Sequence, residues 1–161
     1  MHYLLTKKTA LTFLFLLTVI TSGFAQLKRY TFAEAEQLSK QNPKPIVVFV
    51  HTSWCTYCKL MENSTFKNKE VVTALNTNFY FVSFDAETKE PITYQGHSFY
   101  FKPNGTNTGI HELATALATI DNQVVYPTLT ILGTDQSILF QQHSVIRAKE
   151  MLSILYKANG L

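Results

Sequence analysis

Ile46-Val-Val-Phe-Val50 is a run of five β-branched or aromatic residues with no polar side chain among them. A strand turns alternate side chains to opposite faces, so this segment has no face to offer to water and must be covered on both sides. Directly after it stands His51-Thr-Ser-Trp-Cys-Thr-Tyr-Cys-Lys59, which holds both cysteines of the 161-residue chain. Two thiols with two residues between them thus sit at the exit of a buried strand.

The flanking pattern supplies the covering layers. Thr31-Phe-Ala-Glu34 reads as a capping box, and the helix it starts runs Phe32 to Lys40, stopping before Asn42-Pro43-Lys44-Pro45. Ser53 is the expected N-cap of a helix that begins near Trp54 or Cys55 and reaches about Asn63. A further helical piece covers about Lys69 to Leu75, and Phe79 to Asp85 is a second buried strand. A helix crossing between two apolar strands predicts parallel pairing in an α/β sheet. Past Asp85, Ile92-Thr-Tyr94 and Ser98-Phe-Tyr-Phe101 flank Gln95-Gly96-His97 as a small hairpin, and Asn104 to Gly109 is turn-rich. Leu113, Ala114, Leu117 and Ala118 recur at helical spacing within His111 to Thr119. Thr128 to Leu132 and Ser137 to Gln141 form a hairpin around Gly133–Gln136, and a last amphipathic helix runs from about Ile146 to Lys157. Phe66, Leu75, Phe79 and Phe81 are expected in the core. No repeat or linker divides residues 26–161, and 46% apolar with 16% charged residues suits one globular domain.

The cysteine pair admits three readings. A helix that starts at Cys55 stacks Cys55 and Cys58 on one face and puts Cys55 where unpaired N–H groups and the positive dipole end favour a thiolate. That thiolate is a nucleophile, and Cys58, one turn deeper, can attack the mixed disulfide that results. Structural zinc asks for four ligands; one CxxC supplies two, and His51, His97, His111 and His143 show no second close pair. A bridge across so short a loop removes little entropy from the unfolded chain and makes a poor staple. Redox exchange is the favoured reading. His51, ending a buried strand, reads as a structural histidine ahead of a proton shuttle.

The first 25 residues stand apart. Lys7 and Lys8 precede an apolar run from Ala10 to Ile20, and Gly23 and Ala25 occupy the small-residue positions of a cut before Gln26. This is the layout of a secretory signal peptide over 1–25, with 26–161 as the mature domain and no stable membrane insertion after cleavage. Its removal takes the formal charge from +3 to +1, because it carries Lys7 and Lys8 and no acid. A nearly neutral mature chain gives no footing for nucleic-acid binding, and export places the cysteines where disulfides persist.

Trp54-Cys-Thr-Tyr-Cys-Lys59 after an apolar strand, with Tyr126-Pro127-Thr128 before a C-terminal hairpin and helix, resembles the thioredoxin superfamily. The resemblance covers essentially residues 30–158. It implies an α/β thioredoxin fold, a central mixed β-sheet flanked by helices, with catalytic Cys55 and Cys58 cycling as a redox disulfide. It also implies a cis Pro127 against the cysteine pair and substrate contacts from Trp54, Tyr126, Pro127 and Thr128. Neither a cofactor nor a metal is implied. The longer pattern from Trp54 to Phe66, W-C-x-x-C-K-x-x-E-x-x-T-F, is similar to the C-terminal thioredoxin-like domain of the bacterial membrane protein that carries reductant into the periplasm. On that likeness Glu62 is expected to modulate the thiol pKa; Lys59, directly after Cys58, is expected either to favour a thiolate electrostatically or to be a plain exposed lysine. The expected activity is reduction of disulfides in extracytoplasmic, periplasmic proteins, with a membrane electron donor as partner. The alternatives are a disulfide oxidase or isomerase, or a binding module on the same fold. Two departures stand out. Phe49 occupies the place of the buried acid that helps deprotonate the second cysteine. And Cys55 lies 72 positions before Pro127, which implies an insertion over about 87–118, as a substrate-side wall or a cap on the sheet.

Overall fold

A computed structural model describes residues 26–160; the leader assigned to 1–25 lies outside these residues. Helix α1, Phe32–Gln41, starts on the expected capping box: the Thr31 hydroxyl accepts the Glu34 N–H, and the Glu34 carboxylate accepts the Thr31 N–H at 2.7 Å. Strand β1, Ile46–His51, follows, then α2, Thr56–Asn63, a 3-10 turn at Thr65–Lys67, α3, Lys69–Asn78, and β2, Tyr80–Asp85. After three hairpins and α4, Glu112–Ala118, the chain closes with β9, Thr128–Leu132, β10, Ile138–Gln142, and α5, Ala148–Ala158.

The main sheet has the order β10-β9-β1-β2, with β1 parallel to β2 and antiparallel to β9, so it is mixed, as expected. Ile46 to Val50 are all fully buried. Val47 and Phe49 face one core layer, with Cys55, Cys58, Met61, Phe66, Leu75, Phe79, Phe81, Met151 and Leu155. Ile46, Val48 and Val50 face the other, with Phe32, Ala35, Phe84, Leu113 and Leu117. Burying each such side chain contributes roughly 1.5–3 kcal/mol, so β1 alone supplies a sum comparable to a domain's net stability.

The stretch after Asp85 is more structured than its pattern indicates. Ile92–Tyr94 and His97–Phe99 pair as β3 and β4 around Gln95-Gly96, both at positive φ (53° and 74°), which a two-residue hairpin turn of this twist demands. Phe101 does not extend that hairpin. It opens β5, Phe101–Pro103, which pairs with β6, Gly109–His111, across the turn-rich loop. A third hairpin joins β7, Thr119–Ile120, to β8, Gln123–Val124, through Asp121-Asn122. Strands of two or three residues are too short to show alternation; the tight Gln95-Gly96-His97 turn marks β3 and β4, whereas the pattern does not mark β5 to β8 as strands. Helix α4 lays Leu113, Ala114, Leu117 and Ala118 on the β1 face of the second core layer, where it covers the sheet.

His111 pins this region down. Its N–H donates to Ala86 O, and Ala86 N–H donates to His51 O, so the segment docks on the end of the sheet. Its Nδ1 accepts the Leu113 N–H as the N-cap of α4, while its Nε2 faces the Glu90 and Phe99 carbonyls without a hydrogen bond of good geometry. Burial holds this imidazole below its ordinary pKa, against the pull of those carbonyls and Glu112. A lowered folded value means the unfolded chain takes up the proton first, so stability falls as pH drops below the unfolded value of ~6.5. Urea unfolding at pH 7.5 and pH 5 should show that loss. H111N, whose amide oxygen can still cap α4, should show a smaller one.

Candidate functional site: the cysteine pair and the cis-proline loop

Parallel pairing of β1 with β2 brings their C-terminal ends together, and the antiparallel β9 adds its N-terminal end to the same edge. His51 stands opposite Asp85, and Val50 opposite Thr128. Three loops therefore meet there: 52–55, 85–87 and 125–128.

The first carries the cysteines. Thr52 O accepts the Cys55 N–H at 3.3 Å, turning the chain into α2. Ser53 is not the cap: Cys55 is, and its Sγ accepts the Cys58 N–H at 3.1 Å. The helix proper starts at Thr56, one or two residues later than expected, because the turn from Thr52 takes up Ser53 and Trp54. At the N-cap, Cys55 Sγ stands where the N-terminus of an α-helix offers its N–H donors. Cys55 and Cys58 are joined as a disulfide with Cα atoms 5.2 Å apart. Both are buried, Cys58 more completely than Cys55 at 1% against 6% exposed. Trp54 and Tyr57 stand exposed beside them.

The cis peptide bond falls at Tyr126-Pro127. Pro127 and Thr128 are buried. Thr128 donates its hydroxyl to Val125 O at 2.7 Å, and His143 Nδ1 lies 2.9 Å from the same oxygen, tying the loop after β10 to the cis-proline loop. The Tyr126 ring meets the Trp54 ring edge-on at 6.0 Å. The structure thus brings Trp54, Cys55, Cys58, Tyr126, Pro127 and Thr128 to one edge of the sheet. His143, given no role from sequence, joins them, as does Glu87, whose carboxylate accepts the Trp54 indole N–H. Nothing in the spacing of these two residues announces them, because the fold alone makes them neighbours.

Glu62 and Lys59 divide. Lys59 is exposed on α2. Glu62 is half-buried and lines a groove of about 370 Å³ with Arg29, Phe66 and Lys67. Its charge reaches His51, whose Nε2 pairs with Ser83 Oγ at 3.0 Å and whose ring stacks on Phe49. Burial holds His51 below its ordinary pKa; Glu62 and Asp85 oppose this, and Arg29 adds to it. Phe49 is fully buried against Phe66, ring centroids 4.8 Å apart, in the layer that holds Cys58.

A family model described as Thioredoxin-like matches residues 27–106, and with this fold and site the chain belongs to the thioredoxin superfamily. DsbH Oxidoreductase superposes with a TM-score of 0.60 at 21% identity, over 89% of this chain and 93% of that one. The reduced DsbD C-terminal domain of Neisseria meningitidis gives 0.52 at 17% identity, over 78% and 91%. Spermatogenesis-associated protein 20 of Mus musculus is 37% identical over 59 residues, which is 37% of this chain and only 8% of that protein's length.

Placing an acid at position 49 tests how fully that site is committed to packing. Phe49→Asp removes a core ring and buries an unpaired carboxyl, and should cost ~3 kcal/mol or more at pH 7. The new carboxyl is protonated more readily when folded than when unfolded, so the deficit should shrink as pH falls toward 5. Urea titrations at both pH values read the two effects.

Proposed function

We propose that the chain is an exported thiol–disulfide oxidoreductase that reduces disulfides in extracytoplasmic proteins. The observation that carries this reading is Cys55 as the N-cap of α2, its sulfur accepting the Cys58 N–H, at the edge that holds the cis Tyr126-Pro127 bond. In the reduced protein that N–H and the helix N-terminus stabilise the Cys55 thiolate. The thiolate attacks one sulfur of a substrate disulfide, forming a mixed disulfide at Cys55 and expelling the first substrate thiolate, which takes a proton. Cys58 then gives up its proton and attacks Cys55 Sγ, expelling the second substrate thiol and leaving the Cys55–Cys58 disulfide. Two electrons pass from the protein dithiol to the substrate disulfide.

In this reading the exposed Trp54 indole and the backbone of the Tyr126-Pro127-Thr128 loop face the substrate, the Pro127 and Thr128 side chains being buried, while Glu62 acts on His51 through its charge. Recharging the pair in an oxidising compartment calls for a membrane electron donor. Export rests on the leader pattern of residues 1–25, with the periplasm as destination.

With dithiothreitol as reductant, the mature protein should accelerate insulin precipitation, and Cys55→Ser should abolish the acceleration. An inert wild type would sink the reductase reading. Expressing the full chain in a Gram-negative host and sequencing the N-terminus of the periplasmic product should return Gln26 as the first residue. An intact N-terminus in the cytoplasm would sink export.

A further inference from the structure

Trp54 is 62% exposed, yet two contacts hold its indole in one place. Its Nε1–H donates to Glu87 Oε1 at 3.1 Å, and its ring rests edge-on against Tyr126. Glu87 is held in turn: its N–H donates to Asp85 Oδ1 at 3.0 Å, and the next N–H, of Thr88, donates to Asp85 O. The carboxylate that restrains Trp54 is therefore fixed to the end of β2.

Tyr126, whose ring meets the same indole, carries a hydroxyl of its own. It is buried and has no hydrogen-bond partner, while the charges of Glu87 and Asp85 act on it. Burial first, and then those two carboxylates, push its pKa up to about 12, so it stays an O–H donor throughout the physiological range. A buried donor without an acceptor is costly. The Glu87 carboxylate, whose charge acts on this hydroxyl, is engaged by the indole against which the Tyr126 ring rests.

We propose that Glu87 is a positioning residue and the pivot of a two-state latch at the cysteine pair. At rest it accepts from the Trp54 indole; when an incoming protein chain displaces that indole, it accepts from the Tyr126 hydroxyl instead. The exchange offsets the bond lost at Trp54, so moving the indole aside costs little. Closed, the latch leaves Tyr126 orphaned; open, it leaves the indole N–H to water, where it is satisfied. The role in substrate access rests on the oxidoreductase reading above, whereas the latch itself does not.

Trp54 is the chain's one tryptophan, so a single indole N–H resonance in the nitrogen-15 spectrum reports on it directly. In the oxidised protein, E87A should speed exchange of that proton with solvent about fivefold or more, the scale of one net hydrogen bond. E87Q, whose side-chain oxygen still accepts, should stay near the wild-type rate. Y126F keeps the ring contact and removes the competing donor, so it should slow the exchange, an effect a purely structural tyrosine would not produce. Wild-type exchange in E87A, or exchange in Y126F as fast as in wild type, overturns the latch. In the insulin assay Y126F, held closed, should need more insulin to reach half its maximal rate, and an unchanged value overturns the access role. A wild type inert toward insulin with the exchange pattern intact removes the redox reading and leaves the latch standing.

Discussion

The hydrogen-bonded confinement of β1 between β2 and β9 fixes where every reactive group lies. A strand paired on both sides and packed on both faces cannot shift register without turning its apolar set out of the core. Its pairing with β2 runs without a register shift from Ile46 opposite Tyr80 to His51 opposite Asp85. Because β1 and β2 are parallel and β9 is antiparallel to them, one end of the sheet collects the exit of β1, the exit of β2 and the entry of β9. Ligand sites of open α/β sheets form at the carboxyl ends of their parallel strands for the same topological reason. The cysteine turn, the Asp85–Glu87 turn and the cis-proline loop therefore meet without any direct sequence relation between them.

Phe49 shows what that confinement costs chemically. The position faces the layer that holds Cys58 and Met61, and a carboxyl there would have to be tolerated among Phe66, Phe81 and Leu129. This chain fills it with a ring stacked on His51 and packed against Phe66. A ring there adds to the core and leaves no carboxylate at that position beside the layer of Cys58. What remains near that face is His51, tied to Ser83 and electrostatically linked to Glu62, Asp85 and Arg29. Burial favours its neutral form, which has a lone pair to accept a proton, and the two carboxylates favour the imidazolium that would result.

Where the sequence was legible, strong local physics stood behind it. The Ile46–Val50 run, the Thr31–Glu34 capping box, the β9–β10 hairpin and the cysteine pair each rest on interactions within a few residues or on an unbroken apolar stretch, and each lies where the pattern put it. Ser53 misled because a thiol can cap a helix as an oxygen does, and Cys55 takes that place. Strands β5 to β8 were invisible because two or three residues carry no period. Glu87 and His143 were invisible for another reason: their significance lies in contacts with Trp54 and Thr128, 33 and 15 positions away, which only the folded sheet creates.

The distribution of unsatisfied groups argues that the exit edge of the sheet is shaped by more than folding. Among the described residues, the buried side-chain polar atoms without a partner are Thr52 Oγ1, His111 Nε2 and Tyr126 Oη. Thr52 follows β1 and turns the chain toward Cys55; Tyr126 precedes the cis proline; His111 is bonded to Ala86, which is bonded to His51. Elsewhere, buried hydroxyls are paired: Thr65 donates to Ile146 O and Thr130 to Leu117 O. A core selected only for stability would satisfy or delete these three atoms, since each unpaired polar group works against folding. Thr52 and Tyr126 lie at the edge that carries the disulfide, and His111 is bonded toward it through Ala86, while the opposite end of β1 is packed with Ile46, Tyr80 and Leu132, so the least satisfied part of the core adjoins the cysteine pair.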